Sequence, residues 1–153
     1  MTISQSRLRP DLLIRSSEGY PIAVVEVKNQ LNLSRDVATK FRRNMVAHGL
    51  LPQIPYFLLV SQDVGYLWRE PKYVNYNTPP TYEFPMDKVV ARYLKRDPGQ
   101  RLYGAELELV VLQWLTDLTQ ATQKNVEEPE ITLSISGFIE SIKGATVLAE
   151  EEI

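Results

Sequence analysis

The chain of 153 residues contains no cysteine and only one histidine. The absence of cysteine excludes disulfides, thiolate nucleophiles and cysteine-ligated zinc or iron–sulfur centres. Long apolar runs are also missing, since none approaches the roughly 18 residues that cross a bilayer, and the first ten residues contain no apolar signal segment. We therefore expect a cytoplasmic protein without membrane association, in which any metal is held by oxygen ligands.

The composition is that of an ordinary globular protein. Apolar residues make up 44% and charged residues 24% of the chain, which is enough to build a core in one domain of this length. We expect a core domain over residues 1–123. Residues 124–153 are expected to form an acidic C-terminal appendage, made of a linker, a short strand and a short helix, that packs on the same domain.

Charge is unevenly distributed along the chain. Residues 1–101 carry 15 Lys and Arg against 9 Asp and Glu, whereas residues 102–153 carry 2 against 10. A basic N-terminal part of this kind favours an anionic partner such as nucleic acid, and a solvated surface with an acidic tail explains it equally well.

The pattern of apolar and turn-forming residues predicts alternating strands and helices. A β-hairpin, a helix that ends near a glycine, and two further strands follow one another; their predicted bounds are 9–15, 21–28, 34–48, 56–60 and 65–69. Next come an irregular proline-rich loop at 71–85 and two helices at 87–96 and 104–123. An edge strand at 131–136 is followed by a short helix that ends near residue 144. This order predicts an α/β fold with a mixed central sheet flanked by helices.

Three polar residues stand out in the predicted hairpin. Side chains alternate across a strand, so Glu26 and Lys28 lie on the same face. A turn centred between Glu18 and Gly19 pairs residues whose numbers sum to 37, which places Asp11 directly opposite Glu26. Opposed residues have Cβ atoms roughly 4.5–5.5 Å apart, close enough for two carboxylates to hold one cation.

Hard carboxylate oxygens favour Mg²⁺ or Mn²⁺, which also keep several waters. An ion held by Asp11, Glu26 and the carbonyl of Val27 would acidify a water and neutralise charge on a phosphate, while Lys28 would orient that water or stabilise the transition state. The alternative is that the acids and the lysine are solvated residues of an exposed strand. The run from Ile22 to Lys28, apolar on both faces, argues for an interior strand instead.

Two segments of the sequence resemble the PD-(D/E)xK superfamily of restriction-endonuclease-like nucleases. They are residues 9–14, RPDLLI, and residues 24–30, VVEVKNQ, and they are most similar to the N-terminal nuclease domains of type I restriction enzyme R subunits. The resemblance covers residues 8–70 and implies a restriction-endonuclease-like core. It assigns Asp11 and Glu26 to the metal and Lys28 to the attacking water, and thus implies hydrolysis of DNA.

The resemblance is incomplete at the N-terminus. Members of the family usually place a helix before the PD strand, often with a further acidic ligand, but only nine residues precede Pro10 here. We therefore expect one metal ion, and a core completed by C-terminal elements or by a second chain. Two alternatives remain open: an inactive nuclease-like module that binds nucleic acid, and a protein-interaction subunit of a homodimer or larger complex.

The helix predicted from Ser34 supplies the secondary candidates. Its predicted apolar stripe consists of Val37, Ala38, Phe41 and Met45. Lys40 and Asn44 lie four residues apart along one edge of this stripe, where they could reach the metal site. Its polar face carries three arginines that could contact backbone phosphates; they are Arg35, Arg42 and Arg43. A solvated amphipathic helix explains all five residues equally well.

Overall fold

A computed structural model describes residues 9–47, 54–69, 77–96, 100–103, 105–120 and 127–149. These residues form an α/β protein in which a six-stranded mixed sheet has helices packed on both sides. The strands are β1 Leu12–Arg15, β2 Pro21–Lys28, β3 Tyr56–Ser61, β4 Val64–Arg69, β5 Tyr82–Pro85 and β6 Thr146–Ala149. The helices are α1 Arg35–Ala47, α2 Asp87–Leu94, α3 Glu106–Gln120, α4 Glu130–Ile135 and α5 Phe138–Ser141.

The hairpin has the predicted register. Leu12 pairs with Val25, Leu13 with Val24, and Ile14 with Ala23, so that each pair sums to 37. The turn is closed by hydrogen bonds between Ser16 and Tyr20 (2.7 Å) and between Gly19 and Ser16 (2.8 Å). Gly19 has a φ of +91°, a conformation that glycine adopts without the steric cost of a Cβ.

The strands lie in the order β5-β4-β3-β2-β1-β6. The β2 and β3 strands are parallel and joined through α1, and the other described pairs are antiparallel. Because β2 and β3 run in the same direction, Lys28 and its partner Ser61 lie together at the carboxyl ends of both strands. The C-terminal strand β6 pairs with β1 and completes the sheet on the hairpin side, as expected of a core completed by C-terminal elements.

Two apolar clusters cover the two faces of the sheet. The larger one joins α2, α3, α4 and α5 to one face, with Trp114 buried at its centre. The smaller one packs α1 on the opposite face through Ala38 and Met45, against Leu13, Val24 and other strand residues. The helix α1 therefore lies over the face that holds the even-numbered residues of β2.

The C-terminal third differs from the prediction in two places. Of residues 131–136, predicted as an edge strand, the first five belong to helix α4, in which Leu133 is buried and Ile135 is 71% exposed. A short alternation of apolar and polar residues is compatible with the two-residue period of a strand and with the 3.6-residue period of a helix, and this segment is helical. The strand β6 was not predicted, because an apolar run of only four residues does not by itself distinguish a strand from other structure.

The proline-rich segment also contains a strand that was not predicted. The strand β5 occupies Tyr82–Pro85 at the edge of the sheet, the position where a proline can be accommodated. Residues 71–76 of the predicted loop, and residues 48 and 49 at the predicted end of the first helix, lie outside the described residues.

A membrane-spanning helix was not expected, and none occurs among the described residues. Their helices are too short or too polar to cross a bilayer.

Candidate functional site

Asp11 and Glu26 face each other across the first two strands. The ladder that pairs Leu12 with Val25 places them at the next opposed position, and their carboxyl groups lie within hydrogen-bonding reach of one another. Asp11 precedes the regular part of β1, but its Oδ2 accepts a hydrogen bond of 2.7 Å from the backbone N–H of Val27. This bond fixes the Asp11 side chain against β2.

Lys28 lies on the same face as the two acids. Leu13 and Val24 belong to the cluster on the α1 side of the sheet, so alternation along β1 and β2 directs Asp11, Glu26 and Lys28 to that side as well. The Nζ of Lys28 lies 4.1 Å from the centre of the Phe41 ring of α1. Helix α1 thus forms one wall of the site and contacts the lysine directly.

Burial and the neighbouring Asp11 change the protonation of Glu26. Burial is the largest cause, followed by the hydrogen bond to the Asp11 carboxyl and its charge, and together they raise the pKa of Glu26 from 4.5 to about 8. Lys28 and the backbone N–H of Asp11 act in the opposite direction. Near neutral pH Glu26 therefore keeps its proton, beside the Asp11 carboxyl, in a position that a cation can take.

The donor set fits a hard divalent ion. Asp11 and Glu26 could supply carboxylate oxygens, and Val27, between Glu26 and Lys28, could supply a backbone carbonyl; these are the oxygen ligands that Mg²⁺ and Mn²⁺ prefer. Within the described part of the chain, no group of three or more His, Asp or Glu side chains could hold a metal. An ion here would therefore depend on two carboxylates, one carbonyl and water.

The two auxiliary candidates lie on α1 near this wall. Lys40 and Asn44 are both exposed. Lys40 is adjacent to Phe41 in sequence, and Asn44 lies one helical turn after Phe41, on neighbouring parts of the helix surface. Their position beside the ring that contacts Lys28 is compatible with the predicted role, which stays a prediction.

The three arginines of α1 have different environments. Arg42 was predicted on the polar face, but its side chain is fully buried, with the guanidinium 5.6 Å from the centre of the Trp68 ring. It is therefore not accessible to a phosphate, and this prediction is wrong. Arg35 is exposed and donates a hydrogen bond of 2.9 Å to the Pro80 carbonyl, and Arg43 is exposed.

The error at Arg42 follows from which side of α1 is buried. The sequence suggested Val37 as part of the apolar stripe, but Val37 is 48% exposed, whereas Val46 is buried. The buried stripe is thus rotated toward Arg42. A planar and weakly hydrated guanidinium can be buried when it stacks on an aromatic ring and its hydrogen bonds are satisfied, and the described residues contain no buried side-chain nitrogen or oxygen without a hydrogen-bond partner.

Sequence reasoning missed two amide side chains at the carboxyl ends of β2 and β3. Gln62 accepts a hydrogen bond of 3.1 Å from the Leu102 N–H and donates one to the Gln100 carbonyl. Asn29, which follows Lys28, donates a bond of 3.0 Å to the Leu102 carbonyl. Both amides thus attach residues 100–102 to the end of the sheet that carries Lys28. Nothing in the sequence near Gln62 signals this contact, because the partners are far apart along the chain.

Comparisons with protein-family models, curated proteins and solved structures give no match for this chain. The class that the fold defines is an α/β protein with a six-stranded mixed sheet and flanking helices.

Proposed function

We propose that this protein is a metal-dependent phosphodiesterase that hydrolyses DNA in an endonuclease-like manner, with Asp11, Glu26 and Lys28 as its catalytic residues. The observation that carries the proposal is the opposition of the Asp11 and Glu26 carboxyl groups across β1 and β2, with Lys28 two residues further along the same face. The resemblance of these segments to PD-(D/E)xK nucleases supports the same assignment, with a restriction-endonuclease-like core as the finer description of the fold.

Asp11 and Glu26 have the task of binding the ion. Asp11 is held by the Val27 N–H, so one ligand is oriented before any ion arrives, and the Val27 carbonyl completes the protein ligands. A bound Mg²⁺ or Mn²⁺ would neutralise negative charge on the phosphate and would acidify a water molecule. The raised pKa of Glu26 means that binding requires loss of a proton from the pair, as is usual when protonated ligands take up a metal.

Lys28 has a separate task. Its ammonium group is strongly hydrated and flexible in water, but here the Phe41 ring lies 4.1 Å from it and restricts its position. An oriented cation on the face of the two acids can stabilise negative charge that develops on a phosphate oxygen and orient the attacking water. Lys40 and Asn44 would add contacts to the phosphate from the neighbouring surface of α1, and Arg35 and Arg43 contacts to the DNA backbone.

The proposal is tested by incubating the purified chain with single-stranded, duplex and branched DNA in the presence of Mg²⁺ or Mn²⁺. We expect cleavage by the natural chain and its loss in Asp11→Ala and in Lys28→Ala. Lys88→Ala is the matched control, because Lys88 is exposed on α2, which packs on the opposite face of the sheet. Cleavage that persists in both site variants refutes the assignment.

A nuclease-like binding module without catalysis is the second candidate. The observation that favours it is the absence, among the described residues, of a third acidic or histidine ligand beside Asp11 and Glu26. Such a module would bind DNA with an affinity that falls as salt rises, but would leave the DNA intact with every divalent ion. The same preparations distinguish the two, by adding a binding titration to the cleavage assay.

A further inference from the structure

A cleft opens at the carboxyl ends of β2 and β3, next to the candidate site. Its volume is about 260 Å³, and its lining residues are Asn29, Gln30, Leu31, Gln62 and Arg101. Asn29 directly follows Lys28, and Gln62 directly follows Ser61, the partner of Lys28 in the sheet. The cleft therefore begins where the proposed catalytic strand ends.

The wall that carries Arg101 is fixed on both sides of that residue. Gln62 is only 4% exposed and forms hydrogen bonds with the backbone of Gln100 and of Leu102. Asn29 forms a further bond with the Leu102 carbonyl, and the Leu102 side chain is fully buried in the larger core cluster. Because the residues on either side are held, the Arg101 backbone has a defined position at the cleft.

The Arg101 side chain has no role in this packing. It is exposed, and no ion pair or hydrogen bond joins its guanidinium to another residue within the described ranges. The other four described residues that line the cleft are uncharged, so Arg101 gives this described lining a positive charge. A guanidinium whose backbone is held at the cleft is suited to a phosphate, which it can bind through two parallel hydrogen bonds.

The remaining lining residues indicate what accompanies the phosphate. Gln30 is exposed and offers an amide of the kind that hydrogen-bonds base edges, and Leu31, 37% exposed, offers an apolar surface for a ring. The volume lies just below the range of about 300–1,000 Å³ that is typical of small-molecule pockets. The cleft is thus small, and we take its ligand to be a single nucleotide unit.

We propose that this cleft binds one nucleotide of the DNA strand next to the bond that is cleaved, with its phosphate on Arg101 and its base against Gln30 and Leu31. The inference rests on the proposed function for the class of its ligand. It adds a binding subsite on the strand-end side of Lys28, separate from the arginines of α1.

Binding measured without cleavage tests the subsite. Fluorescence anisotropy with a labelled single-stranded oligonucleotide in EDTA gives the affinity of the full chain over a series of salt concentrations. We expect Arg101→Gln to weaken binding roughly tenfold, the effect of losing one charge-assisted contact, and to reduce the salt slope by about 1. Arg101→Lys should recover part of the loss, because it restores the charge without the planar fork.

Arg69→Gln is the matched control. Arg69 is exposed at the end of β4 and pairs with Tyr56, the first residue of β3, so it lies at the opposite end of the sheet from Lys28. Arg69→Gln removes the same charge as Arg101→Gln. We expect it to change the affinity for the oligonucleotide by less than about twofold, because distant exposed charges are screened by salt. Competition with a nucleoside monophosphate should be stronger than competition with inorganic phosphate.

The outcomes separate the subsite from the catalytic assignment. Equal behaviour of Arg101→Gln and Arg69→Gln overturns the subsite, and DNA cleavage by the natural chain would still stand. Equal competition by inorganic phosphate and the nucleoside monophosphate overturns the nucleotide assignment, as does the absence of salt-sensitive binding by the natural chain. If Arg101→Gln alone loses affinity for DNA and the natural chain cleaves no DNA, the subsite is supported and the proposed catalysis is rejected.

Discussion

The Val27 N–H donates a hydrogen bond of 2.7 Å to Oδ2 of Asp11, although Asp11 itself lies just before the strand that pairs with β2. One carboxylate oxygen is therefore fixed by the backbone of the residue between Glu26 and Lys28. The bond links the proposed metal ligands of β1 and β2 through a single contact. This hydrogen bond keeps Asp11 close to Glu26. The neighbouring acid makes ionisation of Glu26 less favourable, which contributes to its raised pKa.

The first prediction concerns the stability of the metal-free protein as a function of pH. The pKa of Glu26 is raised from 4.5 to about 8 in the folded chain, so the folded state binds more protons than the unfolded state between these two values. The contribution of Glu26 to the free energy of unfolding is therefore fully present below pH 4.5 and is lost above about pH 8. Between these values the free energy of unfolding should fall by at most about 1.4 kcal/mol per pH unit. Urea denaturation in EDTA at several pH values measures it.

Glu26→Gln is the matching variant, because it keeps the shape of the side chain and removes the titration. We expect its stability to depend much less on pH between about 5.5 and 8, the part of the window above the ordinary carboxyl range. A slope as steep as that of the natural chain would assign the pH dependence to another group.

The second prediction concerns metal binding. Because a cation must displace the proton on Glu26, the affinity for Mn²⁺ should rise with pH up to about pH 8, with release of about one proton per ion. Titration calorimetry in two buffers of different ionisation enthalpy measures the proton count. Asp11→Asn should lose the binding, whereas Asp36→Asn, an exposed acid in the first turn of α1, should retain it.

The third prediction separates the role of Lys28 from that of the acids. Lys28→Ala should abolish DNA cleavage and leave the Mn²⁺-induced rise in melting temperature intact, since the lysine is not a metal ligand. In contrast, Asp11→Ala should abolish both. Loss of the metal-induced stabilisation in Lys28→Ala would argue that the lysine only supports the local structure.

The hairpin and its register could be predicted because they depend on residues near one another in sequence. The turn from Ser16 to Tyr20 and the alternation along β2 were sufficient to place Asp11 opposite Glu26, and Leu12 with Val25 confirms the register at the neighbouring pair. The strand β3 was also predictable, because its residues are buried on both faces and form one continuous apolar run.

The parts that could not be predicted depend on distant partners. Burial of Arg42 depends on the Trp68 ring on β4. The hydrogen bonds that hold residues 100–102 come from Gln62 and Asn29, which belong to two other segments. The strand β6 forms by pairing with β1, and its own sequence of four residues is too short to indicate a strand. In each case the decisive interaction joins elements whose proximity is a property of the fold.

The fourth prediction concerns Arg42. Arg42→Ala removes a fully buried side chain that stacks on Trp68, and we expect a loss of about 2–4 kcal/mol in the free energy of unfolding, from the lost packing and from hydrogen-bond partners left unsatisfied. Arg43→Ala, its exposed neighbour, should change stability by less than about 0.5 kcal/mol. Urea denaturation of both variants measures the difference. Similar losses in the two would contradict the burial of Arg42.

The last prediction concerns the pairing of Gly65 with Phe84 between β4 and β5. The two residues are directly opposite each other, and a Cβ added at Gly65 would lie 2.1 Å from Cε2 of the Phe84 ring. The ring cannot move away easily, because Phe84 is 1% exposed and its centre lies 6.4 Å from that of Trp114. Gly65→Ala should therefore destabilise the protein by about 1–3 kcal/mol through overpacking.

A double-mutant cycle tests the cause of that loss. Phe84→Leu removes the ring atoms that an added Cβ would meet, at the cost of a cavity in the larger core cluster. If the clash is responsible, Gly65→Ala should cost at least about 1 kcal/mol less in the Phe84→Leu background than in the natural chain. Equal costs in the two backgrounds would attribute the loss to the backbone of β4 and would remove the steric explanation for a glycine at this position.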